Sequence, residues 1–126
     1  MDSGRFPKSE KLVSRLAIED LFSSGSKAFT AFPLRVVYKK VSAQDVPASV
    51  LVSVSKRHFH HAVDRNRAKR QIREAYRLNK SLLVNSLIQR NEYVRLAWIW
   101  LSDEPQPTEK VRAGVVKLLH LISEHL

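Results

Sequence analysis

Ala62-Val63-Asp64-Arg65-Asn66-Arg67-Ala68-Lys69-Arg70-Gln71-Ile72-Arg73-Glu74-Ala75-Tyr76-Arg77 (residues 62–77) is the stretch that decides how this chain folds. Its apolar members Ala68, Ile72, Ala75 and Tyr76, followed by Leu83, recur at helical spacing, so a helix is predicted from about Asp64 to Val84. Asp64 is placed to act as its N-cap. At about 100° per residue, Asn66, Arg70, Arg73 and Arg77 fall on one stripe, with Lys69 and Lys80 beside it. Ala68, Ile72, Ala75 and Leu83 take the opposite side. Arg65 and Arg67 belong to the first turn, where free backbone N–H groups also favour anions. Like charges along such a stripe cost the helix a few tenths of a kcal/mol per pair (about 0.2–0.5), a penalty that a bound anion removes. The pattern describes a rigid element that holds phosphates, and it suits DNA and RNA equally.

The overall charge repeats this message with less detail. The chain has 126 residues, 22 of them Lys or Arg and 12 Asp or Glu, for a net charge of +10. Lys56 to Lys80 contains nine basic residues (Lys56, Arg57, Arg65, Arg67, Lys69, Arg70, Arg73, Arg77 and Lys80) against Asp64 and Glu74. Those residues therefore carry seven of the ten net charges. A solvated helix face would intersperse Glu at i+4, and here acids are nearly absent. This density is the electrostatic footprint of a nucleic-acid binder. The 44% apolar content rules out a disordered basic tail and predicts one domain with a real core. With no Cys, disulfides, thiolate zinc sites and cysteine nucleophiles are excluded. No apolar run approaches the roughly 18 residues of a spanning helix, and Met1 to Lys11 lacks an apolar signal core. A cytoplasmic location and no membrane partner are the expectation.

Working outward, the order is helix, two or three strands, helix, strand, helix. A first helix is predicted from near Ser9, with Leu12, Val13, Leu16, Leu21 and Phe22 as its apolar positions and an end at Gly25. Residues 1–8 are expected to be flexible, with Phe6 the one anchor. Leu34 to Val41 reads as a strand with Leu34, Val36 and Tyr38 on one face. After a turn at Ala43 to Pro47, Ser49 to Ser55 alternates Val50, Val52 and Val54 with Ser49, Leu51, Ser53 and Ser55. One face of that strand belongs in the core and the other faces water or ligand. Tyr93 to Leu101 is the next strand, with Trp98 and Trp100 directed to the core; Phe29 and Phe32 are expected to close the sheet edge. A loop with Pro105 and Pro107 leads to a last helix, capped by Thr108, that turns Val111, Val115, Leu118, Leu119 and Ile122 inward. The class is α+β, a split-βαβ sandwich in one domain, 1–126.

Other constellations carry no catalytic chemistry. His58, His60 and His61 invite a zinc reading, but zinc takes four ligands and nothing spaced conveniently completes the set. Glu19-Asp20 and Asp103-Glu104 read as helix-surface and turn residues. Three scattered Gly cannot form a phosphate-cradling loop. No catalytic residue and no metal ligand is predicted.

The residues also resemble a known family. Val52-Ser53-Val54-Ser55-Lys56-Arg57, then Ala62-Val63-Asp64-Arg65-Asn66-Arg67-Ala68-Lys69-Arg70, then Ile72-Arg73-Glu74-Ala75-Tyr76-Arg77 are similar to the bacterial ribonuclease P protein subunit. That family's signature is an Arg-Asn-Arg motif, a Lys-Arg pair two residues later, and a preceding strand that ends in Ser-Lys-Lys or the like. Asp20-Leu21-Phe22-Ser23-Ser24-Gly25 looks like the end of its first helix, and the resemblance runs from about 9 to 125. The chain departs from the pattern at His58-Phe59-His60-His61, where many members have Gly-Asn, and at Ile18, where some have Phe.

The resemblance implies a two-layer α/β sandwich like domain 2 of a small-subunit ribosomal protein, with the Arg-Asn-Arg helix in a left-handed βαβ crossover. It implies RNA-subunit contacts at Arg65, Asn66, Arg67, Lys69, Arg70, Arg73 and Arg77. It implies a cleft for the 5′ leader of precursor tRNA lined by Phe22, Tyr38, Ser53, Ser55, Lys56 and Arg57. Mg²⁺ would be held mainly by the RNA subunit and the substrate, and the RNA would perform the hydrolysis. The expected partners are ribonuclease P RNA and precursor tRNA, with no protein partner. The alternatives are a non-enzymatic structured-RNA binder of ribosomal type and a DNA-binding helix protein. The second is disfavoured because strands, not a second helix, flank the basic helix.

Overall fold

A computed structural model describes residues 10–126. The expectations for residues 1–8, including Phe6, lie outside the described residues. Eight elements follow in order: α1 (Arg15–Leu21), β1 (Lys27–Ala31), β2 (Leu34–Val41), β3 (Ala48–Ser53), α2 (Ala62–Asn79), α3 (Ser81–Arg90), β4 (Tyr93–Trp100) and α4 (Thr108–Glu124). The strands form one sheet in the order β1-β2-β4-β3. β2 pairs antiparallel with both β1 and β4, whereas β3 and β4 run parallel. The β3–β4 connection is α2–α3, so the basic helix is the crossover of a βαβ unit.

Strand alternation divides the core in two. Leu34, Val36, Tyr38, Val50, Leu96, Trp98 and Trp100 point to one face, and Ala68, Ile72, Ala75, Tyr76, Leu83, Leu87 and the inner face of α4 cover them. Trp98 and Trp100 are the largest fully buried side chains, as their spacing predicts. Gly114 lets α4 approach the β1–β2 hairpin, since a Cβ there would stand 3.3 Å from the Ala31 carbonyl oxygen. On the opposite face Val37 and Ala97, with Leu51 and Ile99, receive Leu12, Ala17, Ile18 and Leu21. Asp20 fastens α1 there, reaching Lys39 at 2.9 Å and Arg95 at 3.0 Å.

Several boundaries differ from the sequence reading. The first helix starts at Arg15, not near Ser9, because Ser14 caps it by accepting from the Ala17 N–H. Ahead of it Leu12 is buried as an extended residue, its N–H donating to the Val50 carbonyl at 2.9 Å. Val13 and Leu16 consequently point outward, each 78% exposed. The predicted helix over 64–84 is two helices that meet at Lys80 and run on to Arg90. At the junction the Leu83 N–H bonds back to the Lys80 carbonyl at 3.0 Å, a tightened turn that restarts the ladder. His61 is the N-cap residue, so Asp64 lies inside the first turn, where its charge complements the helix dipole. Likewise Pro107 precedes α4 and Thr108 is its first residue. The strand predicted over 49–55 covers Ala48–Ser53, which leaves Ser55 in the following turn. The strand predicted to Leu101 ends at Trp100. Phe29 packs on the core from β1, but Phe32 is 54% exposed and lies under Lys110, 5.1 Å from the ring centre, so it does not close the sheet edge.

Candidate nucleic-acid interface

α2 presents its charges as the spacing requires. Ala68, Ile72, Ala75 and Tyr76 are buried, and the stripe Asn66, Arg70, Arg73 and Arg77 lies on the other side. Asn66 and Arg70 are exposed; Arg73 and Arg77 are half-buried. Arg77 reaches Glu74 at 2.5 Å, so one member of the stripe is partly neutralised. Among the described residues no carboxylate pairs with Arg67, Lys69, Arg70 or Arg73. Four cations thus stand on one rigid helix with their charge uncompensated. Lys80, at the end of the helix, is held by Glu10 at 2.9 Å.

The two Arg of the Arg-Asn-Arg motif occupy different places. Arg65 turns back: its Nη1 donates to the carbonyls of Phe59 and His60, each at 2.9 Å. It clamps the loop that feeds α2. Arg67 instead borders a hollow formed with Phe59, Asp64, Gln71, Trp100 and Pro105, on the flank of the stripe. The loop between β3 and α2 is fixed a second time by His58, whose Nδ1 lies 2.7 Å from an Asp103 carboxylate oxygen. Phe59 beneath it is buried against the Trp100 ring, 6.1 Å between centroids. His60 and His61 are exposed.

Arg73 leads from the stripe to the sheet. It borders a groove with Lys11, Leu12, Val13, Val50, Leu51 and Val52, along the edge of β3 on which Lys11 and Leu12 lie. Leu51 in turn packs with the α1 cluster. Ser53 lies in register with Ile99 and Arg35, on the same face as Val37 and α1. Phe22, the C-cap residue of α1, is 49% exposed. Ser55, Lys56 and Arg57 follow in an exposed turn in which the Ser55 hydroxyl accepts from the Arg57 N–H at 3.1 Å.

Tyr38 does not join them. It is 3% exposed on the other sheet face, stacked on Phe29 at 5.9 Å, and burial pushes its phenol pKa upward. A cleft containing both Phe22 and Tyr38 is therefore not formed. Val37 stands beside α1 instead, and Arg35, exposed at the end of this face, is a residue the sequence reading passed over. Its signal was the alternation of β2, which puts Arg35, Val37 and Lys39 on one side. Asp20, between Lys39 and Arg95, is held below the usual carboxylate range, first by its hydrogen bond from Lys39. Among the described residues no three His, Asp or Glu side chains converge as metal ligands, and no helix is long and apolar enough to cross a membrane.

The ribonuclease P family model matches residues 6–115. The chain belongs to the ribonuclease P protein family. A ribonuclease P protein component from Porphyromonas gingivalis is 47% identical over 113 residues, spanning 89% of this chain and 82% of that one. One from Chlorobaculum tepidum is 34% identical over 131 residues, spanning 95% and 84%. The RNase P protein of Staphylococcus aureus superposes with a TM-score of 0.73 at 18% identity, covering 91% of this chain and 96% of that one. That of Thermotoga maritima gives 0.71 at 20% identity, covering 89% and 96%. The α+β fold with its four-stranded mixed sheet is thus that of the bacterial RNase P proteins, which are components of a tRNA-processing endoribonuclease.

Proposed function

We propose that this chain docks on ribonuclease P RNA through α2 and holds the 5′ leader of precursor tRNA along the α1 side of its sheet. The observation that carries this reading is the uncompensated set Arg67, Lys69, Arg70 and Arg73 on a helix anchored by its own apolar face. Arg side chains meet phosphates bidentately, and a rigid helix holds them in register with a folded backbone. Asn66, exposed between them, supplies both a donor and an acceptor. Arg65 serves by fixing the loop before the helix, and Arg77 contributes from its pair with Glu74.

For the leader, Phe22 offers a ring for base stacking, Ser53 and Ser55 offer hydroxyls, and Arg35, Lys56 and Arg57 meet the backbone. Single-stranded RNA is held by this combination of stacking and cationic contacts. Tyr38 has no part in that surface. The groove bordered by Arg73 joins the two regions, so leader and RNA subunit can occupy one continuous face.

Among the described residues no three His, Asp or Glu side chains converge as ligands for Mg²⁺. In this reading the ion belongs to the RNA and substrate, and hydrolysis is the work of the RNA. The protein contributes by binding precursor more tightly than product. A cytoplasmic ribonucleoprotein follows. The test is 5′ processing of leader-bearing precursor tRNA by a bacterial ribonuclease P RNA at low Mg²⁺, with and without the chain. Faster cleavage with the chain is expected. No gain over RNA alone would leave the ribosomal type of structured-RNA binding as the better account.

A further inference from the structure

A second basic site lies at the other edge of the sheet, where β1 begins and α4 ends. Gly25, Lys27, Tyr38, Lys39, Lys40 and His125 line a hollow of about 220 Å³. None of these residues belongs to α2, and β1 is the edge strand farthest from β3. The hollow is smaller than the roughly 300 Å³ at which drug-sized pockets begin, so it has room for one flat ring and little more.

Its chemistry is that of a nucleotide. Tyr38, buried at the base of the hollow, and His125, exposed at its rim, are both held against Phe29, at ring distances of 5.9 and 5.0 Å, so the exposed His125 ring is a fixed aromatic surface. Tyr38 is buried, yet its hydroxyl has no hydrogen-bond partner among the described residues. A buried hydroxyl without a partner is costly, and a polar ring edge entering the hollow would relieve it. His125 Nδ1 lies 2.8 Å from the Leu121 carbonyl and so carries hydrogen, leaving Nε2 for another partner. At the rim, Lys39 is taken by Asp20, and Lys40 by Glu92, which Arg90 shares. Lys27 is exposed, and among the described residues no carboxylate pairs with it. An aromatic floor, an unanswered hydroxyl and a free ammonium at the mouth suit a base with its 5′ or 3′ phosphate, the arrangement by which single strands are gripped one residue at a time.

We infer that the hollow lined by Lys27, Tyr38, Lys40 and His125 captures a single unpaired nucleotide of RNA, apart from the α2 surface. The inference rests on the RNA-binding reading above and adds a separate contact to it. That nucleotide comes either from the RNA subunit or from precursor tRNA, and a position-specific probe tells them apart.

Because the chain has no Cys, Lys27→Cys creates a unique thiol for an azidophenacyl photocrosslinker, and Arg70→Cys provides the same probe on α2. Both are assembled with ribonuclease P RNA and leader-bearing precursor tRNA. The expected result is a crosslink from position 27 to one short run of nucleotides, in whichever RNA supplies the base. In parallel, Lys27→Glu with His125→Ala should weaken the affinity for that RNA by about tenfold, while circular dichroism shows the chain still folded. A crosslink from position 70 but none from position 27, with affinity unaltered in the double variant, overturns the inference and leaves the docking surface intact. Failure of both probes overturns the docking reading and the inference with it.

Discussion

Four cations of α2 and four that meet where β2, α3 and β4 end or begin stand in opposite circumstances. Lys39, Lys40, Arg90 and Arg95 are gathered around two carboxylates, Asp20 and Glu92, at 2.6–3.0 Å. Both carboxyls are held below their usual range by these partners. Arg67, Lys69, Arg70 and Arg73 have no such partner among the described residues. Paired cations tie strands and helices together; unpaired ones on a rigid helix leave their charge for a ligand. Net charge alone does not separate the two groups, whereas position does.

This contrast can be broken from either side. The largest expected effect is on binding: Arg70→Glu with Arg73→Glu should lower affinity for ribonuclease P RNA by at least about 100-fold, because two phosphate contacts become repulsions. Filter binding measures this, and denaturant unfolding should show stability unchanged or raised as like-charge crowding on α2 is relieved.

Arg65 sharpens the contrast within one motif. Removing a charged donor from two carbonyls costs about 1.5–3 kcal/mol, so Arg65→Ala should shift the urea midpoint whereas Arg67→Ala should not. Equal midpoints for the two would contradict the division of labour inside the motif. Phe22→Ala is expected to weaken precursor-tRNA affinity by roughly 1–2 kcal/mol, the worth of one stacked base, with docking on the RNA subunit unaltered.

The smallest effect concerns pH. Asp20 is depressed in the folded state, so its contribution is fully present above its unfolded value of about 3.9 and disappears as pH falls through the lower folded value. Asp20→Asn should therefore lower stability near neutrality and flatten its decline below about pH 4. Circular dichroism across that range checks the sign.

How far the sequence reveals this molecule depends on the element. Period-2 and period-3.6 patterns placed β2, β4, α2 and α4 because burial on one side leaves a mark on every second, third or fourth residue. The α2 stripe is legible for the same reason. β1 is not: Lys27-Ala28-Phe29-Thr30-Ala31 is an edge strand with little to bury, so it carries weak alternation. The break at Lys80 leaves no signal either, since no Gly or Pro marks it and the backbone stays helical at φ −60°, ψ −24°. Arg65 was legible as a cation on the basic helix, but its turn back to two loop carbonyls depends on tertiary geometry. Tyr38 differs from these cases. Its alternation puts it on one face with Leu34 and Val36, whereas the likeness to the family placed it with Phe22. The register of β2 sides with the alternation.

The central claim is that unpaired α2 cations meet RNA phosphates. Its most direct test is the salt dependence of binding to ribonuclease P RNA for the parent chain and for Arg70→Ala with Arg73→Ala. Each lost phosphate contact should lower the slope of log affinity against log salt by about 1, so a fall of about 2 is predicted. An unchanged slope would contradict the account, because these side chains would then not be the ones that displace counterions.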